Sequence, residues 1–156
     1  MRKFAALSGV LALTLGLGAV VHAADEPYAD QVETRHGLML QMATDASVLG
    51  AIVKGDAPYD AAVATKAAQN IAAIASVISL VQFPKGSENG VSTNSFAKPE
   101  LWANEADFLQ KVADLNKATA DMVTAAGTSS DAIKAAMGGL GGACKACHEA
   151  YRQPES

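Results

Sequence analysis

Cys144-Lys145-Ala146-Cys147-His148 is the stretch that decides how the rest of the chain folds around it. Two thiols three residues apart can each add across a vinyl group of one porphyrin, and a histidine directly after the second can reach the iron. The spacing points to covalent c-type heme attachment, with Cys144 and Cys147 as thioether residues and His148 as proximal iron ligand. A Cys144–Cys147 disulfide would leave His148 unexplained. Zinc would find two cysteines and, beyond the first 23 residues, only His36 and His148 for four closed positions. A thioredoxin-like CxxC normally opens a helix after a strand, and no strand signal precedes this one.

Around the motif, Ile133, Met137, Leu140, Cys144, Cys147 and Tyr151 recur at helical spacing, so a helix turns both thiols toward a core. Gly127-Thr128-Ser129-Ser130 supplies the turn and N-cap before it. Gly138, Gly139, Gly141 and Gly142 cost about 1 kcal/mol each relative to alanine if helical. Either a porphyrin or helix approaches them closely, or the helix frays ahead of the motif. Further upstream, Val32, Arg35, Met39, Met42, Ala46, Leu49 and Val53 form the inward seam of a first helix, which ends at Lys54-Gly55-Asp56-Ala57-Pro58. A second helix, about Tyr59 to Gln82, places Val63, Ala67, Ile74, Val77 and Val81 inward, with Ile71 and Ile78 widening the stripe. Phe83 to Lys98, rich in Gly, Asn and Ser, is a loop long enough to cover something. Pro99 opens a third helix with Leu101, Phe108, Val112, Leu115, Thr119, Met122 and Ala126 inward. No internal repeat is visible. The expected fold is all-α, an antiparallel up-and-down four-helix bundle with covalently bound heme c.

The chain has 156 residues. Arg2 and Lys3, an uncharged apolar run from Phe4 to Val21, and Val21-His22-Ala23 predict a secretory signal peptide over residues 1–23, cleaved after Ala23. A membrane anchor is the other reading of that run, but no basic stop-transfer cluster follows it. Residues 24–156 then suffice for one domain. Losing Arg2 and Lys3 changes 12 basic against 16 acidic residues to 10 against 16, from −4 to −6. That balance argues against nucleic acid and anionic membranes as partners.

A C-terminal CxxCH on the last of four helices, behind an export leader, resembles the class II c-type cytochromes, the cytochrome c′ family. The likeness extends over residues 24–156. It includes Thr34-Arg35-His36-Gly37-Leu38-Met39, Val53-Lys54-Gly55, Ala57-Pro58-Tyr59-Asp60-Ala61-Ala62, Phe83-Pro84 and Lys98-Pro99-Glu100-Leu101-Trp102, and it is tightest from Gly138 to Arg152. Ordinary small c-type cytochromes carry the motif near the N-terminus instead. The resemblance implies a periplasmic heme protein that exchanges single electrons with redox partner proteins, binds nitric oxide and carbon monoxide, or does both. It implies a homodimer through the first two helices, which apolar residues off the seam such as Leu38 and Ile52 would allow. No general acid or base is visible around the distal position, so an enzyme is not expected.

In this family the residue matching Met39 packs over the distal heme face. A non-bonding side chain there leaves five-coordinate, high-spin iron open to small gases, whereas a ligating sulfur makes a six-coordinate, low-spin electron carrier. Plain core filler is the third reading of Met39, and Met42 reads as core. The Arg-His-Gly-Leu-Met run looks more like the high-spin members, so five-coordinate iron is the expectation. Arg35 falls on the inward stripe, where an unpaired cation is costly. The resemblance pairs it with a heme propionate, and snorkelling to solvent is the other reading. His36 either touches the heme edge or lies exposed. Arg152 resembles the basic residue kept near the proximal side, where it would steer an anionic or nitrosyl ligand; stabilising the helix C-terminus is equally physical. Phe83, Ser95 and Phe96 complete the candidate cofactor contacts, with Trp102 as a shield, although aromatics in so poor a set are also natural core.

Overall fold

The structure is a computed structural model that describes residues 26–154. The expected leader, residues 1–23, and its cleavage site lie outside the described residues. Helix α1 runs Ala29–Lys54 and stops at Gly55, whose φ of 79° is a left-handed conformation that glycine adopts without strain. Helix α2, Ala61–Val77, begins where the Asp60 carboxylate accepts the backbone N–H groups of Ala62 at 2.8 Å and Val63 at 3.1 Å. After a one-turn α3, Glu100–Ala103, the chain breaks at Asn104 and continues as α4, Glu105–Ala126. Helix α5, Ser130–Tyr151, starts with the Ser129 hydroxyl accepting from the Ala132 N–H at 3.1 Å.

The second helix is shorter than its apolar run suggests. Ser79 caps a 3-10 turn over Leu80–Gln82, and the Gln82 side-chain oxygen accepts the Ser79 N–H at 2.9 Å. The buried face of α2 is only partly the expected one. Ala67, Ile71 and Ile78 are buried as expected, but Ala64, Ala68 and Ala75 join them, while Val63 and Val77 are half exposed and Val81 is 76% exposed. Choosing the stripe by side-chain size misled here: the small alanines face inward because they let the α2 backbone approach its neighbours closely. On α1, Ile52 and Asp45 are buried, so Ile52 belongs to the core and cannot serve a dimer surface as expected; Met39, Ala46 and Val53 are only half-buried. The third-helix and α5 stripes stand as read, with Leu49, Ile71, Phe108, Met122 and Ile133 fully enclosed at the centre.

Cross-helix bonds set the directions. Asn70 Nδ2 donates to Asp45 Oδ1 at 3.0 Å, Asn116 Nδ2 to the Ala75 carbonyl at 3.3 Å, and the Tyr59 hydroxyl to the Ala126 carbonyl at 3.0 Å. At the other end of α4 the Tyr151 hydroxyl donates to the Asp107 carboxylate. Helices α1 and α4 therefore run one way and α2 and α5 the other, with α1, α2, α4 and α5 packed as a ring. Among the described residues no helix is long and apolar enough to cross a membrane.

Candidate heme site

Helix α5 carries the motif without fraying, so the four glycines are helical. A Cβ on Gly138, Gly139, Gly141 or Gly142 would meet no atom within 4 Å. Gly138, Gly141, Lys145 and His148 follow one another at helical spacing, so open space stands along the face that leads to the histidine. Cys144 and Cys147 are half-buried free thiols packed against the core. Burial pushes both thiols up, with Lys111 partly opposing it at Cys147. They are therefore protonated at neutral pH, unlike the low-pKa thiolate of a redox-active CxxC pair. His148 keeps much of its surface exposed, yet crowding of the ring, then Arg152, lowers its pKa. The neutral imidazole that results is the form that binds iron.

Helix α1 also packs against α5. His36 packs its ring against Phe96, centroids 6.0 Å apart, and the Arg152 guanidinium lies over the same ring at 5.4 Å. Burial, then Arg35 and Arg152, lower the His36 pKa, so His36 is half-buried and neutral. Met39 is half-buried and packs against the core.

Arg35 is inward as expected, 4% exposed. Its guanidinium donates from Nη1 to the Gln82 carbonyl (3.2 Å) and the Ser87 hydroxyl (2.9 Å), and from Nη2 to the Ser87 carbonyl (2.8 Å) and the Ser95 hydroxyl (2.6 Å). Burial lowers its pKa. The Phe83 ring lies 5.1 Å from it, so Phe83 and Ser95 both meet Arg35. Arg152 is not helical: its backbone is extended and its N–H donates to the His148 carbonyl at 2.9 Å. Lys98 N–H to Tyr151 O (2.9 Å) and Gln153 N–H to Phe96 O (2.7 Å) clamp the end of the loop beside the motif. Trp102 Nε1 donates to the Phe83 carbonyl at 2.9 Å. Two participants escaped the sequence reading. Ser87 is one serine in a polar loop, with nothing to mark it as buried, and the Asp107–Tyr151 pair joins residues far apart in the chain.

The family model for cytochrome c′ matches residues 30–152. The chain belongs to the cytochrome c′ family. Cytochrome c-554 from Cereibacter sphaeroides is 46% identical over 147 residues, covering 93% of this chain and 96% of that protein. Cytochrome c′ from Rubrivivax gelatinosus is 37% identical, covering 80% and 95%. The nitric oxide complex of a variant of cytochrome c prime from Alcaligenes xylosoxidans superposes with a TM-score of 0.71 at 32% identity, covering 81% of this chain and 97% of that one. As in the cytochrome c′ family generally, the cofactor is covalent heme c, and the structure fits it. The paired half-buried thiols, the open glycine face and the buried Arg35 cation, which has no carboxylate partner among the described residues, are what a dianionic, covalently bound ring requires.

Proposed function

We propose that this chain is an exported, periplasmic one-electron carrier, its heme c joined to Cys144 and Cys147 and its iron bound by His148 and, from α1, by the Met39 sulfur. The observation that carries this reading is that His36 and Arg152 pack on the same Phe96 ring. That packing draws the stretch of α1 holding Met39 toward the end of α5 holding His148, and an unbranched thioether there would serve as a second protein ligand to the iron. The reading departs from the five-coordinate expectation. When bound, the iron supplies the one-electron couple. The protein holds the ring covalently, keeps the His148 imidazole neutral and covers the edge with Phe83 and Phe96.

Five-coordinate iron binding nitric oxide or carbon monoxide is the second reading, favoured by the nitric oxide complex in the family. Low-temperature electron paramagnetic resonance of the ferric protein separates the two. A low-spin signal that turns high-spin in Met39→Ala, with carbon monoxide binding gained, supports the carrier. A high-spin wild-type signal overturns it. Pairing as a homodimer belongs to the same proposal, through exposed apolar side chains of α1 and α2: Leu40, 68% exposed, and Val63, 50% exposed at a groove between these helices.

A further inference from the structure

The loop between α2 and α3 is organised by one buried cation. Each terminal nitrogen of Arg35 carries two N–H groups, and all four are directed at loop oxygens drawn from Gln82, Ser87 and Ser95. Among the described residues only the Nε–H of this side chain is left for another acceptor. All four of these acceptors are neutral, and the Phe83 ring adds a cation–π contact that helps compensate for burying the charge. Ser87 and Ser95 are 0% and 2% exposed, in a loop whose Asn89, Gly90 and Val91 face solvent. The Ser95 hydroxyl also donates to the Ser87 carbonyl at 2.6 Å, closing a ring of bonds around the guanidinium. Such deep burial of two serine hydroxyls is accounted for by this one planar fork, which a point-charge ammonium could not match.

We propose that Arg35 is a positioning residue that keys the loop from Gln82 to Phe96 onto α1. Fixing the loop sets Phe83 at one end and Phe96 at the other, and Phe96 packs against His36 and Arg152 next to the motif. The proposal rests on the heme reading only for what the loop covers.

Amide hydrogen exchange of the heme-loaded protein tests it, comparing residues 84–96 with α2 and α4 and recording the Soret band in parallel. Ser87→Ala and Ser95→Ala remove acceptors while leaving Arg35 in place; Arg35→Gln removes the donor, and Arg35→Lys keeps the charge without the fork. Each is expected to speed loop exchange by about tenfold or more, with α2 and α4 unchanged and lysine failing to restore the wild-type rate. Loop exchange in Arg35→Gln within about twofold of wild type would overturn the proposal. So would uniform acceleration across α2 and α4, or silent serine variants beside an Arg35→Gln variant that alters only the reduction potential and its pH dependence, the signature of a propionate partner. Should Arg35→Gln fail to fold, the serine variants still decide. Loss of Soret absorption would sink the heme reading and leave the loop comparison standing.

Discussion

Asp107 and Tyr151 tie α4 to the end of α5, next to Cys147. The Tyr151 hydroxyl holds the Asp107 carboxyl below the usual range, with Lys111, 3.4 Å away, acting the same way. Burial and then Asp107 push Tyr151 up to about 12. A depressed carboxyl stabilises the fold above its unfolded value and loses that contribution as pH falls through its folded one. A raised phenol contributes fully below about 10 and loses its contribution as pH rises from there to about 12. Urea unfolding of wild type against Tyr151→Phe should therefore show a stability gap at neutral pH that shrinks in acid and again above pH ~10. A gap that does not change with pH would contradict this assignment. At the motif itself, Cys147→Ser should leave heme held by one thioether, read as a shifted pyridine hemochrome band, and replacing Cys144 as well should abolish covalent heme on a denaturing gel.

Helix α2 shows how an element can be right in kind and only partly right in its buried face. Its valines outweigh its alanines in any apolar stripe, yet Ala64, Ala68 and Ala75 are completely enclosed and Val77 is half exposed. Close packing against two neighbouring helices, α1 and α4, selects the smaller face. Ile71→Ala should thus cost about 2–5 kcal/mol in thermal or urea unfolding, whereas Val77→Ala should stay within about 0.5 kcal/mol. Equal costs would restore the original phase. Removing the cap with Asp60→Ala should cost about 1 kcal/mol, since two backbone N–H groups lose their acceptor.

For the whole molecule, the groove between α1 and α2, lined by Asp45, Val48, Ala62, Val63, Lys66 and Ala67, lies on helices that do not carry the motif. Pairing through it leaves the α5 face free. Leu40→Glu with Val63→Glu should convert a dimer to monomer in sedimentation velocity while leaving the Soret band unchanged. A Soret change would place those residues at the heme.

The heme attachment, the four helices and the inward placement of Arg35 were legible because each depends on local spacing: CxxCH within five residues, periodicity within one helix, Pro and Gly at the breaks. Most of the bundle's buried positions follow from that same periodicity, and Phe108, Leu115, Met122 and Ile133 lie where it puts them. What Arg35 binds was not legible, because Gln82, Ser87 and Ser95 come to it through a loop whose path no periodicity fixes. Nor was the face of α2, which is set by how closely two other helices approach it. The sequence by itself determined which cofactor is attached and to which helix. Only the tertiary structure decided what surrounds it, since the closure of the loop on Arg35 and the packing of His36 and Arg152 on Phe96 depend on contacts between segments distant along the chain.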